Sequence, residues 1–330
     1  MANLSISATC NEHCAYCFAS DFLASAAELP RFVLPGTFAA QLEFLDRSGI
    51  DEARLLGGEP TLHPEFPQLV ALAVARGKRI KVFSSGLMPE EALACLETLP
   101  VEVCSVLVNA NSGSRSARDS VALRRTTLHR LGRRATLGFT IDRPDFEASH
   151  LLAAIVDCGC RRALRLGLGQ PCMSASNRHV SPKQYRFIGD RIVRLAREAA
   201  THGIVVEFDC GFVPCMFSTD DLDELRRLGA DAEWHCNPIL DIDTAGRAMH
   251  CYPLSGLGSI ALTAMSDAAA LRRKFEARTA PYRTAGVFAE CSSCPFKESQ
   301  LCPGGCLAAA LQRFQPVSFR LALPAPVGGG

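Results

Sequence analysis

The sequence predicts an α/β fold, with six β–α units arranged as a partial (β/α)6 barrel and a cysteine-rich domain behind it. Three observations lead there. Short β-rich runs alternate with helix-periodic stretches from the N-terminus to about residue 203. After residue 204 that rhythm gives way to crowded cysteines. Two chemistry-bearing motifs, finally, follow directly after the first two β-rich runs.

The β-rich runs are 3–8 (NLSISA), 53–56, 79–84 (RIKVFS), 103–108, 136–141 and 163–168. Between them Phe38, Leu42 and Leu45 recur at helical spacing, as do Phe66, Leu69, Val70 and Ala73. Pro64 suits the opening of the second of these helices and Gly77 its close. Leu151, Leu152, Ile155 and Val156 make a further apolar stripe. Ser181–Pro182 is an N-cap and first-turn pair for a helix with the face Phe187, Ile188, Ile192 and Leu195, ended by Gly203. Parallel strands need a helical crossover between them, so repeated β–α units imply a parallel sheet. An open doubly wound sheet fits the same pattern. In either form ligand chemistry falls at the C-terminal ends of the strands.

The chain has 330 residues, 48% of them apolar, enough for a large core and two domains. No window approaches the apolar run of a membrane helix. The start, MANLSISATC, lacks the basic and apolar regions of a secretion signal. Lys and Arg total 35 against 34 Asp and Glu, which gives no electrostatic case for a nucleic-acid or membrane partner. A soluble, cytoplasmic protein is expected. Its 16 cysteines are too many for core filling, and a reducing compartment disfavours disulfides. Metal or cluster ligation is the remaining use for clustered thiols. Cys95 and Cys104 read as small buried hydrophobes, and Cys158, Cys160 and Cys172 as core or loop filler. The Pro- and Gly-rich tail over 314–330 is expected to fray.

Directly after the first run stands Cys10-Asn-Glu-His-Cys14-Ala-Tyr-Cys17-Phe18. Three thiolates in eight residues can wrap one iron–sulfur cubane. With four irons and three cysteines, one iron is left open to a substrate. Structural zinc normally takes four protein ligands with paired spacing, which this triplet does not offer. After the second run comes Gly57-Gly58-Glu59-Pro60, where glycines permit close backbone approach and a carboxylate suits a cationic amine. Both motifs end adjacent strands and so share one face of the sheet.

The CxxxCxxC triplet with its aromatic residue before the last cysteine, and the GGEP string after the next strand, resemble the radical S-adenosylmethionine (SAM) superfamily. The resemblance implies a [4Fe–4S] cluster on Cys10, Cys14 and Cys17 whose open iron takes the amino and carboxylate groups of SAM. It implies that Gly57, Gly58, Glu59 and Pro60 bind the SAM amino group. Further carry-overs are Ser84-Ser85-Gly86 near SAM, and Asn109 or Asn111 on the ribose or substrate. Tyr16 and Phe18 are placed either against adenine or as packing for the loop, and Arg165 either against the SAM carboxylate or in solvent. Thr140 and Asp142 end the fifth strand.

In the C-terminal segment Cys236 and Cys251 flank a hairpin turning near Ala245–Gly246, followed by Cys291, Cys294, Cys302 and Cys306. This resembles the SPASM/twitch extension and implies one or two auxiliary [4Fe–4S] clusters. The gap before the CxxxC element is seven residues against the usual five, and no cysteine follows Cys306, so Cys210 or Cys215 is needed as a substitute. A zinc ribbon on Cys291, Cys294, Cys302 and Cys306 is the alternative by spacing. The division expected is 1–203 barrel, 204–313 auxiliary-cluster domain and 314–330 tail. The resemblance implies hydrogen-atom abstraction from a peptide or small natural product, with an external flavodoxin- or ferredoxin-like electron donor. Nine residues precede Cys10, so a peptide-recognition domain is expected to be a separate protein or absent. The opposing class is a non-catalytic zinc or iron–sulfur module.

Overall fold

A computed structural model describes residues 1–25, 29–111, 118–230 and 234–314. The tail expected to fray lies, beyond residue 314, outside the described residues. All six expected strands are present: β1 (Asn3–Ser7), β2 (Glu52–Gly57), β3 (Arg79–Ser84), β4 (Cys104–Asn109), β5 (Ala135–Ile141) and β6 (Ala163–Leu168). A seventh, β7 (Val205–Phe208), pairs parallel to β6 and was not expected. At four residues it is too short to show a periodicity of its own. The neighbours β1 to β7 run in chain order and parallel throughout, with helices crossing between most of them.

The hairpin is present as β8 (Asp241–Ile242) and β9 (Arg247–Met249), turning through Gly246. It does not stand apart. β8 pairs parallel to β1, and β10 (Ile260–Ala261) pairs with β9, so one sheet runs β10-β9-β8-β1 to β7. The cysteine-rich segment therefore touches both edges of the barrel sheet.

One face of β3 to β6 carries Ile80, Val82, Val106, Val108, Leu137, Leu164 and Leu166, all buried in the main core. Phe38, Leu42 and Leu45 from Pro35–Arg47, and Phe66, Leu69, Val70 and Ala73 from Phe66–Ala75, belong to the same core. Each large apolar side chain buried there contributes about 1.5–3 kcal/mol. Pro64 lies two residues before the second helix rather than at its first turn, where Pro67 stands instead. Two apolar positions depart from their stripes: Phe187 is 50% exposed and Val156 is 37% exposed. Ile188, Ile192 and Leu195 alone complete the face of Tyr185–Thr201, behind the Ser181 capping box. Among the described residues no helix is long and apolar enough to cross a membrane.

Candidate active site

The C-terminal ends of β1 and β2 are locked together through backbone. Gly58 N donates to Ser7 O at 2.9 Å and Glu59 N to Thr9 O at 2.7 Å. A Cβ on Gly58 would lie 2.2 Å from Thr9 O, and Gly57 sits at φ +147° with no room against Ser7 O. The glycines thus serve a close approach to the β1 backbone that leads into Cys10.

Glu59 does not face the open mouth. It is fully buried, and its Oε1 accepts from Thr61 N, Thr61 Oγ1 and Ser84 Oγ at 3.2, 2.6 and 2.9 Å. Oε2 accepts from Ser85 N at 2.7 Å. Burial pushes the carboxyl up while these donors oppose it. In this structure Glu59 and Ser84 are partners of each other and of Thr61 and Ser85. Their polar atoms are spent on each other, joining the turns after β2 and β3.

Cys10, Cys14 and Cys17 stand half-buried on one loop and are electrostatic neighbours of one another. Burial pushes all three thiols up, Cys10 to about 11. Glu12 and Arg124 fasten this loop. Arg124 Nη2 pairs with Glu12 Oε1 at 2.5 Å and its Nε donates to Ser85 O at 2.8 Å. The sequence reading missed this pair. Glu12 lies between the cysteines, but its partner is 112 positions away on a polar helix. On the other side Tyr16 is buried, with its hydroxyl accepting from Asn109 Nδ2 at 2.7 Å. Asn111 is spent on β5, bonding Thr140 N and Thr140 O at 2.7 and 2.8 Å. Asp142 pairs with Arg178, and Arg178 N donates to Ala15 O at 2.7 Å. Tyr16 packs the loop in this structure, one of the two places expected for it. Phe18 remains 45% exposed, 5.9 Å from the ring of Tyr252, and free to meet a flat ligand. Cys172, read as filler, is buried with its sulfur 3.4 Å from Ser20 Oγ, at the foot of the cysteine loop.

Arg165 is elsewhere. It is the third residue of β6 and pairs with Asp209 Oδ1 at 2.8 Å, lining a cavity well below the strand ends.

The eight C-terminal cysteines fall into two groups. Cys210 and Cys236 neighbour each other, and Cys251 and Cys306 each neighbour both of them. Cys306 beside it, with help from Arg283, holds the Cys236 thiol down, while Cys236 and burial push Cys306 up. Cys215, Cys291, Cys294 and Cys302 line a second, common cavity with Val213 and Val287. Among the described residues no three His, Cys, Asp or Glu side chains converge as they would on a single metal ion. A cubane, with an iron at each of four corners, takes thiolates that stand further apart.

Residues 4–137 match the radical SAM superfamily. The chain carries a radical SAM domain. Curated relatives share part of the chain. An S-adenosylmethionine-dependent nucleotide dehydratase of Thermoplasmatales archaeon (strain ISO4-H5) is 31% identical over 97 residues, 29% of this chain and 33% of that protein. A protein of the same name from Selenomonas ruminantium is 32% identical over 112 residues, 32% of this chain and 39% of that protein. The chain thus spans little more than a third of their length. Similarity of fold is more extensive. SuiB of Streptococcus suis bound to precursor peptide SuiA has a TM-score of 0.65 at 12% identity, covering 98% of this chain and 75% of that one. Native anSMEcpe with bound AdoMet has a TM-score of 0.59 at 14% identity, covering 93% and 89%.

The superfamily's cofactors are a [4Fe–4S] cluster and SAM, and the residues fit them. Three neighbouring thiols on one loop would leave one iron corner free. Phe18, next to Cys17, is an exposed aromatic face, and the backbone of the Gly57–Gly58–Glu59 turn is bonded to the Ser7–Thr9 segment that leads into Cys10.

Proposed function

We propose that this protein is a radical SAM enzyme with two auxiliary [4Fe–4S] clusters, acting by hydrogen-atom abstraction on a peptide or small natural product. The observation that carries this reading is the sorting of the C-terminal cysteines into two complete sets of four, behind a radical SAM domain. Cys210 completes the first set and Cys215 the second, which leaves neither cluster short of a thiolate.

In this reading Cys10, Cys14 and Cys17 hold the first cluster, and Glu12, Arg124, Tyr16 and Asn109 keep their loop in place. A cluster held there would supply the one electron that splits SAM to methionine and a 5′-deoxyadenosyl radical. The Gly57–Pro60 backbone meets the amino group of SAM and Phe18 the adenine, while Glu59 braces the turn from behind. The external electron donor is of the flavodoxin or ferredoxin kind. A peptide substrate is favoured, because the whole-chain likeness extends to a protein solved with its precursor peptide. The nucleotide-acting relatives match only part of the chain.

Iron analysis of a Cys10/Cys14/Cys17→Ala triple variant tests this reading. About eight irons per chain are expected to remain, the content of two cubanes. No residual iron with one bound zinc would replace the auxiliary clusters by a structural zinc module.

A further inference from the structure

The uncovered face of the barrel strands is polar, and its lower half is crowded with positive charge. Strand register puts Lys81 beside Ser105, Leu107 beside Thr136, and Arg165 beside Glu207. These side chains line a cavity of about 260 Å³ together with Arg161. The opposite face of the same strands is the apolar core, so the cavity lies on the face that the helices leave free.

The charges around it do not cancel. Arg161 takes both carboxylate oxygens of Glu207. Arg165 holds Asp209, whose Oδ1 also accepts from Cys210 N, and Arg54 holds Glu52. Lys81 has no ion pair among the described residues, and Arg165 Nε is buried without a hydrogen-bond partner. Burial pushes the Lys81 ammonium down, repulsion from Arg165 and Arg54 adds to it, and Glu52 and Glu207 oppose it. Lys81 Nζ lies over the Phe83 ring with Glu52 and Glu207 near but not in an ion pair with it, so an ammonium without a direct partner and the unmet Arg165 donor are a cost that a bound anion removes.

The cavity also lies in line with the radical SAM site. Ser105, Leu107 and Asn109 alternate along β4 on one face, and Asn109 holds Tyr16 of the cysteine loop. Four residues of strand separate the two levels, roughly 13 Å. A substrate attacked at the mouth reaches the floor if it is about that long.

We propose that Lys81 and Arg165 bind an anionic oxygen group of the substrate, a carboxylate or a phosphate, beneath the SAM site. This rests on the reading of the protein as a radical SAM enzyme and gives that enzyme an acidic substrate. The two sources of the anion correspond to an acidic peptide and to a phosphorylated small molecule.

Calorimetric titration of the reconstituted protein with pyrophosphate and, separately, with glutarate tests the proposal. Saturable binding of at least one probe is expected, weakened about tenfold or more in Lys81→Met and in Arg165→Met, the loss of a charge-assisted hydrogen bond. Lys81→Arg should keep most of it. In the unaltered protein the bound probe should also slow reductive methylation of Lys81, read by mass spectrometry, which needs no variant to fold. Preference for pyrophosphate assigns a phosphorylated substrate, and preference for glutarate an acidic peptide. Absence of binding by both probes, or equal affinity in the Met variants with Lys81 unprotected, overturns the proposal. SAM cleavage by the unaltered protein is measured separately, so failure of the anion site leaves the radical SAM reading standing, and the converse.

Discussion

Glu59 and Thr9 are joined backbone to backbone, N to O at 2.7 Å, one residue ahead of the first cysteine of the cluster loop. The bond makes the two sequence motifs one object. The turn after β2 cannot shift without moving the entry to Cys10, and Gly58 is what allows the two chains to lie so close.

Gly58→Ala is therefore expected to damage the cluster site rather than the fold. Its Cβ would meet Thr9 O and C at 2.2 and 2.4 Å, both backbone atoms with no rotamer to yield. The strain should cost about 1–3 kcal/mol locally. Iron bound after anaerobic reconstitution of a Cys210/Cys215/Cys236/Cys251/Cys291/Cys294/Cys302/Cys306→Ala background isolates the first cluster. A clear loss of that iron is expected, and full retention would show that the loop tolerates displacement.

Arg124 supplies the second prediction. Its side chain and that of Glu12 are 13% and 2% exposed, so truncation leaves a carboxylate buried without its partner. Breaking a buried pair in this way costs about 3–5 kcal/mol. Arg124→Ala should lose iron from the first cluster faster in a chelator challenge, and Glu12→Gln added to it should recover part of the loss. Equal loss in the single and double variants would mean that Arg124 acts through Ser85 alone.

Most of the barrel was legible because its strands are apolar runs of five to seven residues between helix-periodic stretches. β7 escaped because four residues carry no rhythm, and its place was fixed by pairing with β6. The cysteine triplet was legible from spacing alone. The roles of Glu59, Ser84, Tyr16 and Arg165 were not, since spacing shows which residues stand near a strand end but not which way they point. Arg165 illustrates the limit: it belongs to the right strand but lies three residues below its end. The choice between Cys210 and Cys215 was equally open in the sequence, because proximity across the fold decides it.

That choice yields the third prediction. Cys210→Ala should perturb the cluster shared with Cys236, Cys251 and Cys306, and Cys215→Ala the one shared with Cys291, Cys294 and Cys302. In the Cys10/Cys14/Cys17→Ala background, the two substitutions are expected to alter different components of the reduced protein's electron paramagnetic resonance spectrum. The same component changing in both would mean that the two sets of four are wrongly drawn.

The central claim is that Cys10, Cys14 and Cys17 make a site that cleaves SAM. The direct measurement is 5′-deoxyadenosine formed from SAM by the reduced, reconstituted protein, quantified by liquid chromatography and mass spectrometry. The account predicts 5′-deoxyadenosine from the unaltered chain, even slowly without substrate, and none from the Cys10/Cys14/Cys17→Ala variant with its auxiliary iron still bound. Undiminished formation by that variant, or none by the fully reconstituted unaltered chain, would contradict it.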